Sequence, residues 1–270
     1  MSDVKILRNL FRLAKREYIT PNFIRLTLQG DDMKPYEVCT IGVNNKILLP
    51  RPGSKKVHLP KFDEETQDWI FPEDHLKPII RTYTYRGVDF DKNQMIIDFV
   101  HHGDNGPASA WAIQADEGDE IGVAMKLKES QLYPESDWYF LIGDATAIPV
   151  ISVILEDLPK DKKGVALIEV PTEEDEQNLV KPDDFEIIWI HNSHPENGSE
   201  LADKVKEIQI PNGEKFAYVA AEFSTVKELR NYFRKELAWT KDELYAYSYW
   251  KAGVAEDQSA SDRQKEKAEN

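Results

Sequence analysis

Short apolar segments separated by turn residues fill the first half of the chain, from Ile6 to about Leu127. The clearest lie at 25–28, 46–49 and 95–100, where branched aliphatic and aromatic residues predict strands. Only the segment from Pro107 to Ala115 has a helical pattern here. Strands at these intervals are typical of an antiparallel barrel, and we therefore expect one over residues 1–130.

From Asp137 onward the pattern changes to strands that alternate with helices. Apolar runs predict strands, and apolar residues at helical spacing predict the helices between them. A Thr225-x-x-Glu228 pair predicts a capping box in front of a helix whose apolar face carries Val226, Leu229, Phe233 and Leu237. The predicted strands cover 139–143, 165–170, 185–190, 216–220 and a last segment ending at Lys251, and the other helices cover 149–158 and about 201–208.

This alternation predicts a doubly wound parallel sheet over residues 131–253. Residues 254–270 carry only charged and small side chains, and we expect them to form a solvated tail. The predicted fold class is thus an antiparallel β-barrel followed by an α/β domain.

Charge restricts the partners. The chain has 270 residues and a formal net charge of -15, which argues against nucleic acid as the main partner and requires a local basic pocket for any anionic ligand. The single cysteine, Cys39, has no intrachain partner, and no apolar run approaches the length of a membrane span. We therefore expect a soluble cytoplasmic protein.

A cation, an aromatic ring and a hydroxyl occur together in the segment from Arg81 to Arg86. Alternate side chains of a strand share one face, so Arg81 and Tyr83 should lie together, and the alternation continues to Tyr85. The guanidinium suits a pyrophosphate, while the Tyr83 ring and the Thr84 hydroxyl suit the face and polar edge of a flavin. The alternatives are a barrel-wall aromatic for Tyr83 and a surface ion pair for Arg81.

The segment that follows the strand at 95–100 runs through glycines into a proline at a first helical position. Such a turn directs free backbone N–H groups at a bound anion, and Gly106, Pro107, Ala108 and Ser109 are predicted to bind a pyrophosphate. The alternatives are an ordinary first-turn serine for Ser109 and an ordinary turn residue for His102. Neither His101 nor His102 has the companions of a metal site.

Six motifs in order along the chain resemble the siderophore-interacting protein family, the FAD-dependent ferric-siderophore reductases. The resemblance covers residues 5–253 and implies a ferredoxin-reductase-like fold, an FAD cofactor contacted by Val100 and His102 among others, and a ferric siderophore as substrate. Its motifs are Ile19-Thr20-Pro21 with Arg25, Gly30-Asp31-Asp32-Met33, Arg81-x-Tyr83-Thr84, Phe99-Val100-His101-His102-Gly103-Asp104-x-Gly106-Pro107-Ala108-Ser109-x-Trp111-Ala112, Gly143-Asp144-x-Thr146-Ala147-Ile148-Pro149 and Tyr249-Trp250-x-x-Gly253.

The turn around Thr146 and Ala147 follows a predicted parallel strand, at the edge where such sheets bind ligands. Both residues are predicted cofactor contacts. Ala145 stands where the family commonly has glutamate, and residues 125–130 contain no glycine where the family has a Gly-Pro-Arg-Gly-like turn. These departures leave FAD binding intact as a prediction and weaken the case for a pyridine nucleotide.

The electron donor is predicted from the acidic stretch at 169–176, which follows the second strand of the sheet and contains no Lys or Arg. An acidic surrounding disfavours a 2′-phosphate, so NADH is favoured over NADPH. A solvated acidic loop is the alternative interpretation. The family divides between NAD(P)H and ferredoxin as donors, and the sequence leaves both open.

A local positive patch for an anionic ferric siderophore is predicted at Lys251, with Lys126 and Lys128 as further candidates and Trp250 as an aromatic contact. Ordinary strand packing is the alternative for Trp250. The predicted reaction is reduction of siderophore-bound Fe(III) to Fe(II), in which the flavin rather than a catalytic side chain carries the electrons. The rival hypotheses are a flavin-dependent oxidoreductase with another acceptor and a binding protein that has lost its cofactor.

Overall fold

A computed structural model describes residues 5–103 and 106–256 of the chain. The chain divides between Ser130 and Gln131 into two compact units. Among the described residues, the first unit contains a seven-stranded and a two-stranded sheet, and the second a five-stranded sheet. Among the helices of the described residues, none combines the length and the apolar character that a membrane crossing needs.

The first unit is built on a seven-stranded sheet in the order β6-β3-β9-β1-β2-β8-β7, and every neighbouring pair in it is antiparallel. The predicted antiparallel fold is therefore confirmed, as is the helix at 107–114. Its elements are β1 (Ile6–Thr20), β2 (Phe23–Gln29), β3 (Asn44–Leu49), β4 (Lys61–Asp63), β5 (Asp68–Ile70), β6 (Ile79–Thr84), β7 (Gly87–Asp89), β8 (Gln94–Val100), α1 (Pro107–Gln114) and β9 (Glu120–Lys126).

Alternation along the strands places one face of this sheet in the core. Leu26 and Leu28 of β2 and Ile97 of β8 have no exposed surface, and Ala112 of α1 belongs to the same cluster. Arg25 lies on the other face of β2, directly opposite Asp98 of β8. The core thus fixes the strands that carry the segments of functional interest.

The second unit contains a five-stranded sheet in the order β12-β11-β10-β13-β14, and every neighbouring pair is parallel. The strand order reverses between β10 and β13, as in a doubly wound fold, and the predicted class is confirmed. Its elements are β10 (Trp138–Asp144), α2 (Ile148–Asp157), β11 (Lys163–Val170), β12 (Phe185–His191), α3 (Leu201–Glu207), β13 (Lys215–Glu222), α4 (Phe223–Asn231) and β14 (Leu244–Trp250).

Helices pack on this sheet, because their apolar side chains are buried against the apolar side chains of its strands. Every side chain of α2 from Ile148 to Leu155 is buried, as expected for a helix with almost no polar face. Val205 of α3 and Leu229 of α4 are fully buried in a second cluster with Phe140 of β10. All five predicted strands of this half of the chain are confirmed.

The predicted capping box at Thr225 and Glu228 is wrong. The helix begins at Phe223, three residues before the start that a Thr225 N-cap implies, and its cap is the carboxylate of Glu222, which accepts a hydrogen bond from the Ser224 N–H at 2.5 Å. Thr225 is buried inside the first turn. The last turn, Tyr232–Glu236, is π-helical, which rotates Leu237 off the predicted apolar face and leaves it 38% exposed.

Candidate functional site

The predicted flavin segment forms β6 and pairs with β3, so that Tyr83 lies directly opposite Asn45. Arg81 and Tyr83 are half-buried and Thr84 is buried. The Tyr83 ring packs on Phe99 of β8 with a centroid distance of 4.3 Å. The Arg81 guanidinium donates through Nη1 to the Ile80 carbonyl at 2.7 Å. A cation and a ring held by the barrel wall are therefore present on one strand.

Tyr85 departs from the predicted alternation, because it has no exposed surface and belongs to the barrel core. It follows the end of β6, where its backbone N–H bonds to the Val43 carbonyl at 2.9 Å. Burial raises the pKa of its phenol, with a smaller contribution from Cys39. The ring therefore serves packing.

Asn45 is a residue that the sequence interpretation missed. It is 2% exposed, and both polar atoms of its amide are buried without a hydrogen-bond partner. An unsatisfied buried amide is costly, so this position opposite Tyr83 fits a bound group that supplies a donor and an acceptor. The only feature of the sequence that could have identified Asn45 is a polar residue at a strand position that should face the core.

The turn after β8 connects the strand to α1 through the backbone. The His102 N–H donates to the Ser109 hydroxyl at 3.3 Å, and Ser109 is 1% exposed in the first turn of the helix. His102 itself is exposed and Val100 is half-buried. Asp104 and Asn105 of the predicted motif lie outside the described residues. The structure thus brings His102 and Ser109 together.

Gly106 packs against the His102 ring. A Cβ atom there would lie 2.5 Å from Cε1 of the His102 ring, so a larger residue would displace that ring. Gly106 is also the extended cap of α1, Pro107 is at the helix start, and no side chain caps the helix. The N–H groups of the first turn, including those of Ala108 and Ser109, are thus not occupied by a capping side chain, which fits an anion such as a pyrophosphate.

The opposite end of α1 is held by Arg16 of β1, a second residue that sequence interpretation missed. Its Nη1 group donates to the carbonyls of Ala112, Ile113 and Ala115 at 3.2, 2.5 and 3.1 Å. A cation at a helix C-terminus satisfies free carbonyls and opposes the helix dipole. Arg16 therefore fixes the helix whose N-terminus is the predicted phosphate site.

In the second unit, Thr146 and Ala147 form the turn between β10 and α2. Thr146 is half-buried and its N–H donates to Oδ1 of Asp144 at 2.9 Å, while Ala147 is fully buried. A Cβ at Gly143 would lie 2.4 Å from Cβ of Ala147, so this turn packs tightly on the strand. Ala147 therefore offers little surface to a ligand.

Three carboxylates lie at the carboxyl ends of neighbouring strands: Asp144 of β10, Glu169 of β11 and Glu222 of β13. All three are less than 9% exposed. Burial raises the pKa of Asp144 and of Glu169, and hydrogen bonds from Thr146 and Ser199 respectively oppose this shift. Ionised carboxylates at three strand ends disfavour a phosphate placed against this edge of the sheet, and the raised pKa values of Asp144 and Glu169 reduce that repulsion.

The predicted donor-selecting stretch contains a short 3₁₀ turn, Glu173–Asp175. Glu173 and Glu174 are exposed, whereas Asp175 is buried and accepts a hydrogen bond from the Thr172 hydroxyl at 3.0 Å. Glu176 lies 2.8 Å from the His191 ring. Two of the four acidic side chains therefore have structural partners.

At the predicted acceptor end, the Trp250 indole N–H donates to Oδ2 of Asp144 at 2.7 Å, and the Lys251 ammonium lies 4.5 Å from the centre of the Phe223 ring. Lys126 and Lys128 belong to the first unit, where both are exposed at and just after the end of β9. In the described part of the chain, no three His, Cys, Asp or Glu side chains are grouped as metal ligands.

Comparison with known proteins identifies both units. A family model described as siderophore-interacting FAD-binding domain matches residues 12–125, and one described as siderophore-interacting protein matches residues 136–253. The ferric vibriobactin reductase ViuB of Vibrio cholerae is 31% identical over 94% of this chain and 93% of its own.

Two further relatives agree with this result. The NADPH-dependent ferric-chelate reductase of Escherichia coli is 30% identical over 87% of this chain and 90% of its own. The crystal structure of the siderophore-interacting protein SipS from Aeromonas hydrophila superposes with a TM-score of 0.82 at 26% identity, and covers 97% of this chain and 98% of the other.

Proposed function

Because this chain belongs to the siderophore-interacting protein family, we propose that it reduces ferric siderophores by means of a bound FAD and releases the iron as Fe(II) in the cytoplasm. The observation that supports the proposal is that two features occur together in the barrel unit. One is strand β6 with Arg81 and Tyr83, and the other is the N-terminus of α1 after Gly106, which no side chain caps. A strand with a cation and a ring, and a helix end with free N–H groups, match the two halves of a flavin dinucleotide.

The chain's own residues hold FAD in this proposal. Arg81 pairs with the pyrophosphate, which the first-turn N–H groups of Ala108 and Ser109 also bind. Tyr83 supplies a ring face for the isoalloxazine and Thr84 a hydroxyl for its polar edge. Val100, His102, Gly106 and Pro107 shape the turn around the dinucleotide.

When bound, FAD would supply the ability to accept a hydride or single electrons and to pass single electrons onward. The substrate iron is held as Fe(III) by hard oxygen ligands, which bind Fe(II) much less tightly, so that reduction releases the metal. The protein needs no general acid or nucleophile for this reaction. Its residues orient the cofactor and bind the substrate.

The donor assignment in this proposal is NADH, with reduced ferredoxin as the alternative. Exposed Glu173 and Glu174, and the buried carboxylates of Asp144, Glu169 and Glu222, surround the edge at which a doubly wound sheet binds a dinucleotide. A 2′-phosphate adds negative charge to an acidic surrounding. The Escherichia coli relative is named as NADPH-dependent, so the donor needs a direct measurement.

In the second unit, the Trp250–Lys251 segment is the proposed acceptor contact, and the exposed Lys126 and Lys128 of the first unit stay separate predicted substrate contacts. An acidic protein attracts an anionic ferric complex only where a local cation offsets the overall field. Lys251 has this role in the proposal.

The rival function, an oxidoreductase with a non-siderophore acceptor, requires the same FAD site and differs only in its acceptor. The test is anaerobic. FAD-loaded protein is mixed with NADH, NADPH or reduced ferredoxin, and flavin bleaching is followed at its visible absorption band.

Ferric siderophores, simple ferric chelates, free flavin or quinones are then added with a ferrous trap. We expect flavin reoxidation and ferrous trapping to be fastest with ferric siderophores. Faster turnover with quinones or free flavin would support the rival function. Protein that stays colourless after incubation with FAD would contradict both.

A further inference from the structure

The indole of Trp250 spans two strands of the parallel sheet. Trp250 ends β14, the edge strand, and its Nε1–H donates to the carboxylate of Asp144, which ends β10 on the far side of β13. The contact therefore crosses the end of β13. In a strand order that reverses between β10 and β13, this is the crevice in which doubly wound sheets bind their ligands.

A change of register between β13 and β14 directs the Trp250 side chain toward this crevice. The parallel pairing of β13 and β14 shifts after Ala221 and Ser248, so that Glu222 lies opposite Trp250 instead of Tyr249. Bulges of this kind redirect side chains at the ends of sheets. The shift thus brings Trp250 and the residues after it beside the Glu222 carboxylate.

Glu222 holds the chain on the other side of Lys251. Its Oε1 accepts a hydrogen bond from the Ala252 N–H at 3.1 Å, while its Oε2 caps α4 through the Ser224 N–H. The turn then closes through the Val254 N–H, which donates to the Lys251 carbonyl at 3.1 Å. Residues 250 and 252 are therefore each bound to a buried carboxylate, with Lys251 between them.

Lys251 itself is placed over an aromatic ring next to the same carboxylate. Its ammonium lies 4.5 Å from the centre of Phe223, the first residue of α4, and the side chain is half-buried. A cation over a ring face is attracted by the ring quadrupole, which limits the positions that this flexible side chain takes. The backbone around Lys251 is thus fixed by hydrogen bonds, and its side chain by the Phe223 ring.

We propose that Asp144 and Glu222 are positioning residues for substrate binding, which hold Trp250 and Ala252 so that the Lys251 ammonium is presented at the crevice between β10 and β13. Neither carboxylate needs to touch the substrate. This inference rests on the proposed reduction of anionic ferric complexes. It adds two residues that family motifs and sequence pattern leave without a role in substrate binding.

Burial is consistent with this role. Asp144 is 6% exposed and Glu222 8%. A carboxylate removed from water is stabilised only by the donors around it, and here those donors include the Trp250 indole and the Ala252 amide. Because Asp144 is buried, solvent does not replace a donor that is lost.

The experiment uses the full chain loaded with FAD and compares Asp144→Asn, Trp250→Phe, their double variant and Glu222→Gln. Asp161→Asn, at an exposed position, and Trp138→Phe, at the opposite end of β10, are the matched controls. Two readouts are recorded: the ¹H–¹⁵N resonance of the Trp250 indole, identified by its absence in Trp250→Phe, and KM and kcat for an anionic and a neutral ferric chelate.

We expect Asp144→Asn to shift the Trp250 indole resonance, and Asp144→Asn, Trp250→Phe and Glu222→Gln each to raise KM for the anionic chelate roughly tenfold, the size of one lost charge-assisted hydrogen bond. The KM for the neutral chelate, kcat and FAD content should change little. The double variant should show no further loss beyond the single ones, because both remove one contact. The controls should match the unmodified protein.

An unshifted indole resonance in Asp144→Asn would overturn the inference, as would equal KM changes for both chelates or additive losses in the double variant. If Asp144→Asn does not fold, Trp250→Phe and Glu222→Gln still give the KM comparison between the two chelates, with the Asp144 carboxylate retained. If the unmodified protein reduces no ferric chelate, the proposed function fails, whereas the indole resonance still reports on the contact between Asp144 and Trp250.

Discussion

The Tyr83 ring on β6 and the Phe99 ring on β8 pack with their centroids 4.3 Å apart and their planes inclined by 37°. Phe99 has no exposed surface, whereas Tyr83 is half-buried. One part of the Tyr83 ring is thus anchored in the core and another is accessible. An aromatic platform of this kind has a fixed orientation before any ligand binds, which lowers the entropy lost on binding.

We expect Arg81→Ala and Tyr83→Ala each to weaken FAD binding by about tenfold or more, because one removes a charge-assisted phosphate contact and the other the ring platform. Tyr83→Phe keeps the ring and should retain FAD. Flavin content after dialysis and titration of apoprotein with FAD measure the effect. Full flavin content in both alanine variants would refute the assignment.

If the donor is a nicotinamide nucleotide, we expect NADH to reduce the bound flavin faster than NADPH. Exposed Glu173 and Glu174 lie beside the predicted ribose position, where a 2′-phosphate adds repulsion. The double variant Glu173→Lys/Glu174→Lys should shift the preference toward NADPH, and Glu196→Lys, at another exposed acidic position, should not. Stopped-flow bleaching rates measure this, and faster reduction of the unmodified protein by NADPH would contradict it.

The ion pair between Arg25 and Asp98 is expected to stabilise the barrel. Two guanidinium nitrogens of Arg25 contact the Asp98 oxygens at 2.7 and 2.8 Å, and the Asp98 side chain is fully buried. Asp98→Asn should lower the free energy of unfolding by about 2–3 kcal/mol, less than for a fully buried pair, because the Arg25 side chain is 27% exposed.

Urea unfolding, followed by a spectroscopic signal from the first unit, measures this loss in the free energy of unfolding. Asp89→Asn, which breaks the exposed pair with Lys92, is the control and should change the midpoint far less. An equal shift in the two variants would mean that burial of the Arg25 pair does not matter.

Sequence patterns were sufficient for the class of both sheets and for the five strands of the second, because alternation and buried apolar runs are local properties that a strand or helix displays along its own length. In the first sheet these patterns did not single out β1, β7 or β9. They were insufficient for contacts made across the fold. Arg16 binds carbonyls 96 to 99 residues away, and Trp250 binds Asp144 across 106 residues. The helix cap was missed for a different reason: Glu222 is next to the helix in sequence, but it ends a strand and glutamate is not among the preferred N-cap residues.

The unpartnered hydroxyl of Tyr36 gives a prediction on stability and pH. This residue is fully buried, and its phenol oxygen has no hydrogen-bond partner. Tyr36→Phe should therefore leave stability at pH 7 unchanged or raise it by up to about 1 kcal/mol. Tyr133→Phe is the control and should be destabilising, since that hydroxyl donates to Asp157 at 2.6 Å.

Burial, with smaller contributions from Cys39 and Tyr85, raises the pKa of Tyr36 above the ordinary tyrosine value of 10.0. The folded state thus retains a proton that the unfolded state releases above that pH, so this group's contribution is intact below pH 10 and is lost as pH rises further. Tyr36→Phe should flatten the alkaline loss of stability, measured by urea unfolding between neutral and alkaline pH. An unchanged slope would contradict the assignment.

Charge reversal at Lys251 tests the substrate end of the proposed site. We expect Lys251→Glu to raise KM for anionic ferric siderophores with little change in FAD content, and the defect should shrink as salt rises, since exposed charges are screened over about 8–10 Å at physiological ionic strength. Lys251→Arg keeps the charge over the Phe223 ring and should restore most of the affinity. Lys227→Glu, at an exposed position on α4, controls for net charge. A loss of the same size for anionic and neutral chelates, or loss of the flavin itself, would show that Lys251 is structural and that the anion binds elsewhere.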